Sequence, residues 1–170
     1  EPGRGTRPLI APDTGQGGQE GSAHSNRAQL TGLLENLVSM GLRTSVKVLD
    51  VETVTASRAV AGALQIAVGD AVQKAVRVRS TREGPLSHIT TYVPADIGRQ
   101  FGRRELARKP ILVLLEESGV KVGRAHQTIS AKLADAVVAR HLDVAVGSAL
   151  LAVRRLIYDD QERPVQWLHG

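Results

Sequence analysis

The sequence predicts an α+β fold: an antiparallel sheet of about six strands with helices packed on one face. Three observations carry that reading. Apolar spacing switches repeatedly between a period near two and a period between three and four. Turn residues at 82–86 and 159–164 each separate two alternating stretches, and hairpins demand antiparallel pairing. With 170 residues and 42% apolar content, the chain is long enough to bury one core.

Each element has its own signal. Over 28–40, Leu30, Leu33, Leu34, Leu37 and Val38 fall at helical spacing, and Gly41 is a C-terminal stop. SVKVLDVETVTA (45–56) changes to strand alternation, with Val46, Val48 and Asp50 on one side, and Ser57 caps a short helix to about Leu64. Residues 71–82 and 86–93 form a hairpin around the turn Gly84-Pro85. Pro110 opens the helix ILVLLEES and Gly119 follows its end, the usual asymmetry of helix ends. Residues 120–131 read as a strand, 134–142 as a helix and 148–159 as a strand. DDQER (159–163) turns the chain into a last strand, PVQWLH. No internal repeat is apparent.

Residues 1–27 (GQGGQEGS among them) are too poor in large apolar side chains to offset the entropy of ordering, and read as a flexible linker. The net charge of +5 therefore belongs to the folded part, because Arg4, Arg7 and Arg27 cancel against Glu1, Asp13 and Glu20. An absence of cysteine excludes disulfides, thiolate metal sites and cysteine nucleophiles. There is no apolar leader and no run of the roughly 18 apolar residues that a spanning helix needs, which suits a cytoplasmic protein.

The most informative stretch is AVRVRSTREGPLSHITTYVP (75–94). Strand alternation sends Val76 and Val78 one way and Arg77 and Arg79 the other, the two guanidiniums about 7 Å apart. Two such forks suit a phosphate or carboxylate, since each donates paired hydrogen bonds, and Thr90, Thr91 and Tyr92 across the hairpin can add hydroxyls. A solvated face whose arginines pair with acidic neighbours remains open beside that reading.

Other chemistry is weaker. His24, His88, His126, His141 and His169 show no metal-ligand spacing, so no metal or cofactor is expected. GQGGQEG lacks the Lys-Ser/Thr of a phosphate loop, and no Gly-flanked serine elbow exists. Glu116-Glu117 and Asp159-Asp160 lie at a helix end and in a turn, where solvated charge is expected. GRQFGRRELARK (98–109) is basic with only Phe101 interleaved, which fits a solvated helical face or a dimer rim better than a nucleic-acid platform.

The order of these motifs resembles the UTRA domain, the effector-sensing domain of HutC-subfamily, GntR-type transcription regulators. Residues 37–168 carry the resemblance: the R-x-R strand followed by Gly-Pro and Y-x-P, then QTISA, L-x-V-x-x-G-x-x-L-L, and R-x-x-Y-D ahead of Pro-Val. GRGTRPLIAP (3–12) is similar to the end of the wing of the winged helix that precedes this domain in the family. The resemblance thus divides the chain into the end of a wing plus linker (1–27) and an effector domain (28–170) whose C-terminal end is incomplete, since Gly170 precedes the family's final segment.

That resemblance implies a chorismate lyase-like antiparallel sheet with flanking helices, a homodimer, and no catalysis. It implies a small anionic metabolite as effector, with operator DNA bound by the winged-helix domain outside this chain. Arg77, Arg79, Tyr92, Ser130 and Tyr158 match pocket positions, as does Gln166, where the family commonly has Glu after Pro-Val. The alternatives are an enzyme of the chorismate lyase-like fold acting on an aromatic carboxylate, and a nucleic-acid binder using 98–109.

Overall fold

The computed structural model describes residues 44–170; the expected helix at 28–40 and the wing and linker at 1–27 lie outside the described residues. The elements are β1 (Ser45–Thr55), α1 (Arg58–Leu64), β2 (Ala71–Thr81), β3 (Gly84–Pro94), α2 (Ala95–Gly98), α3 (Arg103–Arg108), α4 (Ile111–Glu117), β4 (Val122–Leu133), α5 (Ala136–Leu142), β5 (Ala149–Asp159) and β6 (Pro164–His169). All six strands form one sheet in the order β1-β2-β3-β6-β5-β4, and every neighbouring pair is antiparallel. The expected α+β sheet is therefore present.

Helices cover both faces of that sheet, not one. On the first face Ala75, Val93, Ile157 and Val165 of the strands pack against Ile97, Phe101, Leu106, Leu114 and Leu115 from α2–α4 and the loops between them. On the second, Val60, Ala61 and Leu64 of α1 pack with Val72, Tyr92, Leu156 and Trp167. Strand alternation is the reason: Val72 and Ala75 of one strand point opposite ways, and each needs its own apolar cover.

An internal repeat, invisible to the sequence reading, organises the molecule. The unit β1-α1-β2-β3 recurs as β4-α5-β5-β6. Ser57 caps α1 by accepting from Val60 N, and Asp135 caps α5 by accepting from Val138 N. Gln65 and Asp143 end these helices at φ 53° and 54°, and Gly69 and Gly147 follow at φ 91° and 85°. Ala56 N donates to Asp70 O at 2.7 Å, and Ala134 N to Ser148 O at 2.8 Å. The halves meet where β3 pairs with β6, so the sheet centre is the repeat boundary.

Two local expectations change. In β1, Val48 pairs with Arg77 but Asp50 with Val76, so Leu49 is a bulge and Asp50 turns away from Val46 and Val48. Val51 then takes the inward place against the first core. The bulge is held by Arg103, which donates to Val48 O at 2.6 Å and Leu49 O at 3.3 Å. The basic run 98–109 is thus a wall of the first core, with Phe101 and Leu106 buried in it. In the β2–β3 hairpin the turn is Arg82-Glu83, while Gly84 and Pro85 are already paired with Thr81 and Ser80. Gly84 adopts φ 126°, which leads the chain back into the strand. No helix among the described residues is long and apolar enough to cross a membrane.

Candidate functional site

The face covered by α2–α4 carries a band of polar side chains at the sheet centre. Register fixes its members. Arg77 pairs with Val48 and Ile89, and Thr91 lies one diagonal step away, opposite Ala75 and Leu168. Leu168 pairs with Arg155, which donates from Nε to Gln127 Oε1 of β4 at 2.8 Å. Gln166, opposite Ile157, points to the same side. Arg77, Thr91, Gln166 and Arg155 therefore share one face across β2, β3, β6 and β5.

Burial makes this band costly. Arg77 is 5% exposed and Gln166 fully buried. Arg77 Nε, Thr91 Oγ1 and both amide atoms of Gln166 are buried with no hydrogen-bond partner among the described residues. Burial first, then the charge of Arg79, lowers the Arg77 pKa to about 10. Burial alone lowers those of Arg79 and Arg155. Arg79 donates to Thr44 Oγ1 at 2.9 Å. The ion pairs of the described residues join Lys74 to Glu52, Lys109 to Glu117, Arg124 to Glu162 and Arg163 to Asp96, and include none of these three arginines. Among the described residues no carboxylate is paired with Arg77 or Arg79. An uncompensated buried charge costs several kcal/mol.

The six residues singled out in the sequence do not converge. Arg77, Arg79 and Gln166 stand on this face. Tyr92 points to the other, 6.0 Å from Trp167 and 6.3 Å from His169 between ring centroids. Ser130 is exposed and pairs with Ala152 on that second face. Tyr158 lies under the Arg124 guanidinium at 3.8 Å. Sequence reasoning missed Arg155, whose signal was the repeat: AVGDAVQKAVR (67–77) against AVGSALLAVRR (145–155). No group of three or more His, Asp or Glu among the described residues is placed to hold a metal ion.

The UTRA domain family model matches residues 39–169. Among solved structures, a candidate transcriptional regulator from Streptomyces coelicolor shares 27% identity at a TM-score of 0.71, over 75% of this chain and 85% of that one. A GntR-family transcriptional regulator from Enterococcus faecalis shares 26% at 0.68, over 74% and 90%. The effector domain of PhnF from Mycobacterium smegmatis shares 25% at 0.71, over 79% and 83%.

Proposed function

Because the chain belongs to the UTRA domain family, we propose that it is the small-molecule-sensing module of a GntR-type, HutC-subfamily transcription regulator. Operator DNA is held by a separate winged-helix domain, and the regulator acts in the cytoplasm as a homodimeric repressor. Its effector is a small anionic metabolite held on the α2–α4 face by Arg77 and Arg79, with Thr91 and Gln166 supplying hydrogen bonds to the rest of the molecule. Effector favours one arrangement of the DNA-binding heads and operator the other, so each weakens the other's binding.

The observation that carries this reading is the Arg77 guanidinium, buried beside Arg79 without a counter-ion among the described residues. The strand residues around it, Val48, Ala75, Ile89 and Thr91, include no carboxylate or imidazole to act as a general acid or base, which favours a sensor over a lyase. Thermal-shift screening against anionic metabolites tests it, since a ligand of the folded state raises its melting temperature by mass action. A hit that Arg77→Ala abolishes supports the reading; hits that bind Arg77→Ala and Arg79→Ala as tightly as the parent refute it.

A further inference from the structure

We propose that the cavity beneath α5, on the sheet face opposite the arginines, is a second binding site, for a small aromatic carboxylate. The cavity measures about 530 Å³, within the usual range for small-molecule pockets.

The repeat explains why there is room. Pro85, the second residue of β3, and Pro164, the first of β6, pair with the equivalent residues Ser80 and Tyr158, which sets His88 of β3 in the place of Trp167 of β6. Under α1 the indole of Trp167, with Tyr92 and Leu156, fills the space. Under α5 the smaller imidazole of His88 stacks on His141, centroids 5.5 Å apart and planes 24° apart, and the volume beside it stays open. One half of the duplication has closed this space with an aromatic residue and the other has kept it.

The lining names the ligand class. Leu133, Val138, Leu142 and Leu150 form aliphatic walls, which call for an apolar body. The floor is aromatic, from Tyr92, His88 and His169, which suits a flat ring. His169 Nε2 is buried with no partner among the described residues, so one hydrogen bond waits to be made. Lys132 lines the same cavity and supplies a cation. The Asp135 carboxylate is already engaged, accepting from Val138 N at 2.8 Å as the cap of α5. A ring bearing one carboxylate meets all of these demands, and the pleat of the sheet separates it from Arg77.

Calorimetric titration with 2-naphthoate tests the proposal. Saturable binding is expected, with 2-naphthalenemethanol, the neutral analogue, binding several-fold more weakly. Ala152→Trp fills the cavity and is expected to raise the Kd about tenfold or more. Lys132→Met, at an exposed position that folding does not need, is expected to raise it about three- to fivefold. Millimolar inorganic phosphate, a compact anion suited to the arginine face, is expected not to displace the naphthoate. An absence of saturable binding, a Kd unchanged in Lys132→Met, equal affinity for the alcohol, or displacement by phosphate overturns it.

Discussion

Arg77 and Arg155 occupy equivalent places in the two halves of the sheet and present their guanidiniums to the same face. Neither has an acidic partner among the described residues. They differ in what shields them. Arg77 is deeply buried beside Arg79, while Arg155 shares its Nε hydrogen with Gln127 Oε1. Duplication has thus placed a cation on each side of the central β3–β6 pair, and burial leaves Arg77 the less hydrated of the two.

Arg77→Met tests that difference. It replaces an uncompensated buried charge with an apolar chain of similar length, so the melting temperature is expected to hold or rise. Anion affinity is expected to fall by about one to two decades, the worth of a charge-assisted bidentate contact. Arg155→Met is expected to cost less than one decade. Calorimetry and thermal melts on both variants check this. An Arg77→Met that melts earlier and binds the effector normally would mark the arginine as structural.

Gln73 is a clamp between the sheet and α2. Its Nε2 donates to Gly98 O and to Phe101 O, both at 2.6 Å, so one amide satisfies two carbonyls that end α2 and begin the next turn. Gln73→Leu takes the side-chain donor from both carbonyls, leaving Gly98 O with only the long 3.4 Å bond from Phe101 N, and is expected to cost about 1–3 kcal/mol in urea unfolding. Gly98→Ala drives a methyl to within 2.6 Å of Gln73 Cβ, and a cost of about 1–3 kcal/mol is expected. A loss under about half a kcal/mol in either variant would show that the contact is dispensable.

Strand and helix existence was legible because burial imposes period two and period 3.6 directly on the residues. What was not legible came from single-residue events. The Leu49 bulge reverses the face of Asp50 without any Gly or Pro to announce it, because the carbonyls it frees are met by Arg103, more than fifty positions away. Helices on two faces could not be read from a pattern that shows only that both sides of β2 are apolar. The repeat escaped because its identity is concentrated in the short loop AVGDA against AVGSA, with generic alternation around it. For the site, the R-x-R spacing put both arginines on one face, as the register has them. The hairpin and the family resemblance both group Tyr92 with them, yet parity in the β2–β3 register sends it to the opposite side.

The repeat makes a paired prediction about backbone strain. Gln65 and Asp143 both hold left-handed conformations at helix ends, where a side chain crowds the following carbonyl. Gln65→Gly and Asp143→Gly are each expected to stabilise the protein by about 0.5–1 kcal/mol, and by similar amounts, since the two loops share geometry. Gly69→Ala and Gly147→Ala are expected to destabilise by about 1–2 kcal/mol for the converse reason. Urea midpoints of the four variants decide it; a Gln65→Gly variant less stable than the parent would show that the Gln65 side chain contributes more than its strain costs.

The last prediction concerns acid. His88 and His169 both have pKa values lowered from 6.5, in each case first by burial. The charge of His141 adds to this at His88, opposed by Asp135, and those of Arg154 and Lys132 add to it at His169. A lowered folded pKa means that the unfolded chain binds protons more readily. The stability these imidazoles contribute is therefore fully present above 6.5 and is lost as pH falls below it, through the folded values. Asp96 acts in a lower window. Its pKa is held below 3.8 mainly by the Arg163 hydrogen bond, so its contribution survives until pH falls past that value. Between about pH 7 and pH 5 the loss thus belongs to the imidazoles rather than to this carboxylate. Urea unfolding across that range is expected to show stability falling with pH in the parent and a shallower fall in His169→Asn. An identical slope in the variant would remove His169 from the account. A slope of opposite sign would mean that the folded state binds protons more readily than the unfolded chain, as a buried imidazole facing an anion would.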